Sequence, residues 1–327
     1  MSGHEATLPV ENRLPAFDGA GGWLNSPPLT AEGLRGQVVL VDFWTYTCIN
    51  WLRTLGYVRA WWERYRDQGL VVIGVHTPEF PFERGEDNVR RAVAAMDVTY
   101  PVALDPGYAV WEAFGNHYWP AVYVADAEGR IRYHHFGEQA YEETERVIRL
   151  LLRDAGRGPV GDDVVSVVPG GVEAQADWDT LGSPETYLGF QQGSNLVAAD
   201  ARAGVPRTFA VPDALPRNGW ALGGAWTIEE RAAVLNKPGG RIAFRFHARD
   251  VNLVLRSREG RPVPFQVLID LEAPGPAHGL DVDPAGNGTL AEPRLYQVVR
   301  EPGGIADRTF EITFAAAGVE AYVVTFG

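Results

Sequence analysis

Residues 38–44, VVLVDFW, form an apolar run broken only by Asp42, and the residues after it limit the fold more than any other stretch. From Ile49 to Asp67 the apolar period changes. Leu55, Val58, Trp62 and Tyr65 recur at helical spacing, with Arg59, Glu63 and Arg66 mostly off that stripe. LVVIGV (70–75) then reads as a second buried strand. Strand, helix and strand in that order predict a parallel pair covered on both faces. The pattern continues with a helix over 86–97, a short strand over 100–104 and a helical turn or two over 107–114. A hairpin turning at Ala127–Gly129 follows, and an amphipathic helix, YEETERVIRLLLRDAG, closes the unit.

Beyond Gly156 the helix signals fade. The stretch 157–181 is rich in Gly, Pro and Asp and reads as a linker. From residue 182 on, RIAFRFHA, VNLVLRS, PVPFQVLID, RTFEITFA and EAYVVTFG are short alternating runs divided by Gly and Pro. They predict a β-sandwich or jelly roll. The expected organisation is therefore an α/β domain over 1–156 and an all-β domain over 182–327.

A net charge of -13 argues against nucleic acid and anionic membrane surfaces. No apolar run reaches the roughly 18 residues of a membrane span. The N-terminus has no apolar core of a signal peptide, so a cytoplasmic location is the expectation. The single cysteine, Cys48, excludes an internal disulfide. It sits where a strand gives way to a helix, and unpaired N–H groups at a helix start favour a thiolate. The bland alternative is a small buried hydrophobe.

DFWTYTCIN (42–50), VIGVHTPEF (72–80) and YWPAVYV (118–124) resemble the redoxin domain of DipZ-type members of the TlpA-like group, which has a thioredoxin-like fold. SPETYLGF (183–190), residues 278–300 and the terminal TFG resemble the carbohydrate-binding-module-like β domain that follows it. The resemblance implies that Asp42 is the family's buried proton-shuttling carboxylate, that Pro120 is its cis-proline, and that the backbone of Trp119 is free to pair with an extended peptide. It also exposes two departures. Where the family carries C-I-N-C this chain has C-I-N-W, and Gly56 stands where a helix-kinking proline is usual.

Trp51 cannot resolve a mixed disulfide, so the expected activity is monothiol: Cys48 exchanges with a substrate disulfide and an external thiol releases it. The indole is expected to pack over the sulfur or shape a substrate groove with Trp44, Thr45, Asn50, Trp119 and Pro120. Asp42 persists as a structural partner or eases protonation of a leaving thiol, and Glu79, after a strand's C-terminal end, is a candidate acid or base. The partners expected are protein or low-molecular-weight thiols and disulfides. Two rivals remain: a non-enzymatic binding protein on the same scaffold, and a one-cysteine peroxidase, since Thr45 and Cys48 form T-x-x-C.

No cofactor is implied. The seven histidines have no metal-ligand spacing, so no metal site is expected. Asp281, Asp283, Gly286 and Glu292 fall on calcium-loop positions, but Pro284 and Ala285 interrupt them and a polar hairpin loop is the better reading. Trp220 and Trp226 could offer stacking platforms for carbohydrate, or they could be core.

Overall fold

The computed structural model describes residues 8–157, 160–161, 163–198 and 201–327. Residues 1–7, which begin the N-terminal stretch read for a leader, and residues 158, 159 and 162 of the linker lie outside the described residues. The chain divides into two compact units, Met1–Glu173 and Ala174–Gly327.

In the first unit the order is β1 (Asn12–Arg13), β2 (Gly22–Leu24), β3 (Val38–Trp44), α1 (Ile49–Tyr65), β4 (Leu70–His76), α2 (Glu86–Ala95), β5 (Val102–Leu104), α3 (Ala109–Phe114), β6 (Ala121–Ala125), β7 (Arg130–Phe136) and α4 (Tyr141–Asp154). The sheet runs β1-β7-β6-β3-β4-β5-β2. The βαβ step makes β3 and β4 parallel, with Asp42 beside Gly74, and the hairpin makes β6 and β7 antiparallel. Every residue of β3 is buried, as a central strand covered on both faces must be. On one face Val39, Val41 and Phe43 pack with Ile73, Val75, Trp111 and Phe114.

The helix α1 corrects one expectation. Trp61, not Trp62, continues the buried stripe after Leu55 and Val58. Its indole N–H donates to Glu145 of α4 at 3.3 Å, and the Tyr65 hydroxyl donates to the same carboxylate at 2.6 Å. Glu145 also accepts from the Val165 N–H at 2.9 Å, so the stretch through Glu173 lies on the first unit. Gly56 has a reason there. A Cβ on it would stand 3.0 Å from Val167 and 3.3 Å from the Glu173 carboxylate, which pairs with Arg59 at 2.7 Å. The glycine leaves α1 unbroken and makes room for the segment that crosses it.

The second unit is all β: β8 (Thr186–Tyr187), β9 (Arg207–Phe209), β10 (Trp220–Ile228), β11 (Ala233–Leu235), β12 (Arg241–Phe246), β13 (Asp250–Ser257), β14 (Val263–Ile269), β15 (Asn287–Leu290), β16 (Arg294–Arg300), β17 (Arg308–Phe314) and β18 (Val319–Phe326). β10 joins two halves. Its residues 220–223 pair with β12, its residues 226–228 pair with β11, and Gly224 between them has φ +91°. The halves face one another across an aromatic core, with Phe244 5.1 Å from Phe326 and Phe265 6.2 Å from Tyr296. This is the sandwich the alternating runs predict.

Trp220 and Trp226 belong to that core. They are buried, and their N–H groups donate to the carbonyls of Ser194 and Gly223 at 2.7 and 2.8 Å. Neither offers a stacking face, because both rings fill the sandwich. In the calcium-like loop Asp283 accepts from the N–H groups of Ala285 and Asn287, and Asp281 pairs with Arg294 at 2.6 Å. The loop's carboxylates are turned to its own backbone and to an arginine, as in a polar hairpin. Among the described residues no cluster of three potential ligands could hold a metal, and no helix is long and apolar enough to cross a membrane.

Candidate functional site

Cys48 is the N-cap of α1, in extended backbone conformation, and it is half-buried. The turn that presents it closes locally: its N–H donates to the Thr45 carbonyl at 3.2 Å, and its own carbonyl accepts from Leu52 at 2.9 Å. Its Sγ faces the Trp119 carbonyl at 3.8 Å. The Trp119–Pro120 peptide bond is cis. The Trp119 indole is held by the Thr77 carbonyl at 3.1 Å and packs 4.2 Å from Trp111.

Trp51 is an interior residue, not a wall of a surface groove. It is fully buried, stacked on Trp44 at 4.2 Å, and its N–H donates to Asp42 Oδ2 at 2.9 Å. Desolvation pushes the Asp42 carboxyl up to about 7, with the Trp51 hydrogen bond opposing. Its Oδ1 has no hydrogen-bond partner among the described residues. Gly74, the register partner of Asp42, is needed here. A Cβ on it would come within 2.8 Å of the Trp44 Nε1 and 3.0 Å of the Tyr100 ring.

Four residues expected to contact substrate are buried and do not line a surface. Trp44, Thr45 and Trp51 are fully buried, and Pro120 is buried too. What remains accessible beside Cys48 is Asn50, the edge of Trp119 and the exposed ring of Tyr118, which packs 4.9 Å from the exposed Phe136.

The sequence reading missed a second buried carboxylate. Glu79 is half-buried and lends its backbone N–H to the site, whereas Glu83 carries the carboxylate that organises the loop. Glu83 is fully buried and accepts from the N–H groups of Glu79 and Phe80 at 2.7 and 2.8 Å and from the Thr47 hydroxyl at 2.5 Å. The signal was present in FPFE: a proline opens a short helix and a glutamate at its third position reaches back to the preceding N–H. Also missed was the buried pair of Arg53 and Glu138, at 3.0 Å, which ties α1 to the end of β7. Gly137 beside it donates to the Pro120 carbonyl at 2.8 Å. Desolvation raises Glu138 to about 7 despite the arginine.

A helix-capping cysteine that looks onto the backbone before a strand-leading proline, on a sheet of this order, defines a thioredoxin-like redoxin. The chain belongs to that family of thiol-disulfide oxidoreductases, joined here to a β-rich C-terminal domain. It matches the family described as Redoxin over residues 9–149 and the one described as Thioredoxin like C-terminal domain over 183–327. It is 37% identical over 263 residues to Protein DipZ of Mycobacterium tuberculosis, covering 77% of this chain and 37% of DipZ. The chain thus spans little more than a third of the DipZ proteins it matches. It is 30% identical over 148 residues to the thiol-disulfide oxidoreductase YkuV of Bacillus subtilis, covering 45% of this chain and 99% of YkuV. A thioredoxin-like protein solved in solution in its oxidised form aligns at 28% identity with a TM-score of 0.41, covering 44% of this chain and 97% of that one.

Proposed function

We propose that this protein performs thiol–disulfide exchange through Cys48 alone, with an external thiol completing each cycle. The observation that carries the reading is the placement of a half-buried sulfur at the start of α1, against the Trp119 carbonyl. The helix start favours the thiolate, and the Trp119 backbone gives an extended peptide something to pair with.

The chemistry balances without a second cysteine. The Cys48 thiolate attacks one sulfur of a substrate disulfide, an S–S bond forms to Cys48, and the other substrate sulfur leaves as a thiolate that takes a proton. A second thiolate, from a protein or a small thiol, then attacks the mixed disulfide. Cys48 is released as the thiolate, and the new disulfide joins the external sulfur to the substrate sulfur that Cys48 had held. One turn therefore exchanges one thiol for another, and full reduction of the substrate takes a second external thiol. In this reading Asp42 is structural, the acceptor that holds the buried Trp51 indole.

The test is reaction of the reduced protein with glutathione disulfide at neutral pH, followed by intact mass, with Cys48→Ser as the blank. One adduct on Cys48, removed by added glutathione, is the expected result. No adduct until the protein is unfolded would overturn the proposal and favour a binding protein that keeps the Trp119–Pro120 surface without the chemistry.

A further inference from the structure

Glu83 is connected to the Cys48 turn on one side and to a small cavity on the other. The Thr47 hydroxyl, on the residue immediately before Cys48, donates to Glu83 Oε1, while Oε2 takes the N–H groups of Glu79 and Phe80. A cavity of about 120 Å³ is lined by Glu83, His76 and Asp105, with Arg84 and Glu86 at its exposed margin. The buried His76 ring has no hydrogen-bond partner for its Nε2 among the described residues. Buried polar atoms of this kind ordinarily have a partner, and a cavity of this size with several polar groups holds ordered water. A buried carboxylate bonded to the residue before the thiol thus borders a polar cavity.

We propose that Glu83 is the positioning residue of the Cys48 site, and that its charge governs how readily the thiolate forms. This rests on the reading of Cys48 as a reactive thiol. Ionised, Glu83 places a negative charge beside the turn that bears the sulfur and opposes the thiolate. Neutral, it holds the same turn through Thr47 without that opposition. Besides Glu83, the other buried acid at this cavity is Asp105, which burial also raises. From the β3–α1 turn come only the Thr45 and Thr47 hydroxyls, and from the following loop only backbone N–H groups. His76 is kept neutral, because burial lowers it to about 3. Asp105 is committed to the start of α3, accepting from Val110 and Trp111 at 3.0 and 2.9 Å. Arg84 and Glu86 are exposed and screened. Burial raises Glu83 itself, with the Thr47 and Phe80 hydrogen bonds opposing.

The experiment is the rate of iodoacetamide labelling of Cys48 against pH in the full chain, for the natural protein, Glu83→Gln and Thr47→Val. Glu83→Gln keeps the shape and the contacts, since its amide oxygen accepts from the loop N–H groups and its amide N–H donates to Thr47. Its midpoint is expected to fall by about half a pH unit or more, and its rate at pH 7 to rise several-fold. Thr47→Val removes a bond that favours the charged carboxylate, so Glu83 keeps its proton to higher pH and the midpoint moves the same way. An unchanged midpoint in either folded variant, with the natural protein labelling normally, overturns the proposal. Absence of labelling in the folded natural protein removes the reactive thiol itself, and this inference with it.

Discussion

The indole N–H of Trp51 donates to Oδ2 of Asp42 at 2.9 Å, both side chains being fully buried. The bond joins two residues nine apart in sequence, one near the end of a buried strand and one in the first turn of the helix that follows it. Trp51 stacks on Trp44, and both rings are fully buried, each worth about 1.5–3 kcal/mol as a large apolar side chain.

Asp42→Asn is expected to stabilise the protein at pH 8 and to do little at pH 4. The folded carboxyl titrates near 7 and an unfolded one near 3.8. Between those values the folded state binds the extra proton, so stability falls as pH rises through the window, by up to about 4 kcal/mol in total. An amide keeps the acceptor for Trp51 and has no charge to desolvate. Thermal unfolding of both proteins at pH 4 and pH 8 checks this; parallel pH dependence would contradict it.

Trp51→Cys is expected to exchange a stability loss for dithiol chemistry. Emptying the indole site costs about 3–5 kcal/mol, while a second thiol beside Asp42 can resolve the mixed disulfide within the chain. Turbidity from insulin reduction by dithiothreitol, measured well below the melting temperature, should be faster than with the natural protein. Equal rates would mean that Trp51 is not what prevents the dithiol cycle.

Arg53→Met leaves the Glu138 carboxylate buried without its partner and is expected to cost about 3–5 kcal/mol. The double variant Arg53→Met with Glu138→Leu should recover most of that, since the desolvated charge goes too. Urea unfolding of the two variants separates an ion pair that stabilises from one that only avoids a penalty. A double variant as unstable as the single one would count against this account.

Gly74→Ala adds a Cβ 2.8 Å from the Trp44 ring nitrogen and 3.0 Å from the Tyr100 ring. Because both rings are packed and neither is at the end of a flexible chain, the expected loss is about 1–3 kcal/mol. Tryptophan emission should shift as the Trp44–Trp51 stack is displaced. Unchanged stability and emission would show that the rings can move aside.

The sequence by itself determined the order of elements and the address of the thiol. An apolar run, a helical stripe and a second apolar run dictate β3, α1 and β4, and the strand-to-helix junction places Cys48 as the cap. Alternation divided by glycine and proline determined the β-rich second unit. These signals are local, because backbone periodicity repeats every two or about three and a half residues. The tertiary structure decided the rest. Whether Trp61 or Trp62 faces inward depended on Glu145 of α4, and whether Trp220 and Trp226 face a ligand or the core depended on which half of the bent sheet came to cover them. Glu83 reads as one more charge on an exposed loop until the chain brings it to Thr47, 36 residues away. Trp51 and Asp42 are close in sequence, yet no pattern of polarity says that an indole will turn its N–H to a buried carboxylate. Periodicity states which face of an element is covered, and only the assembled packing states by what.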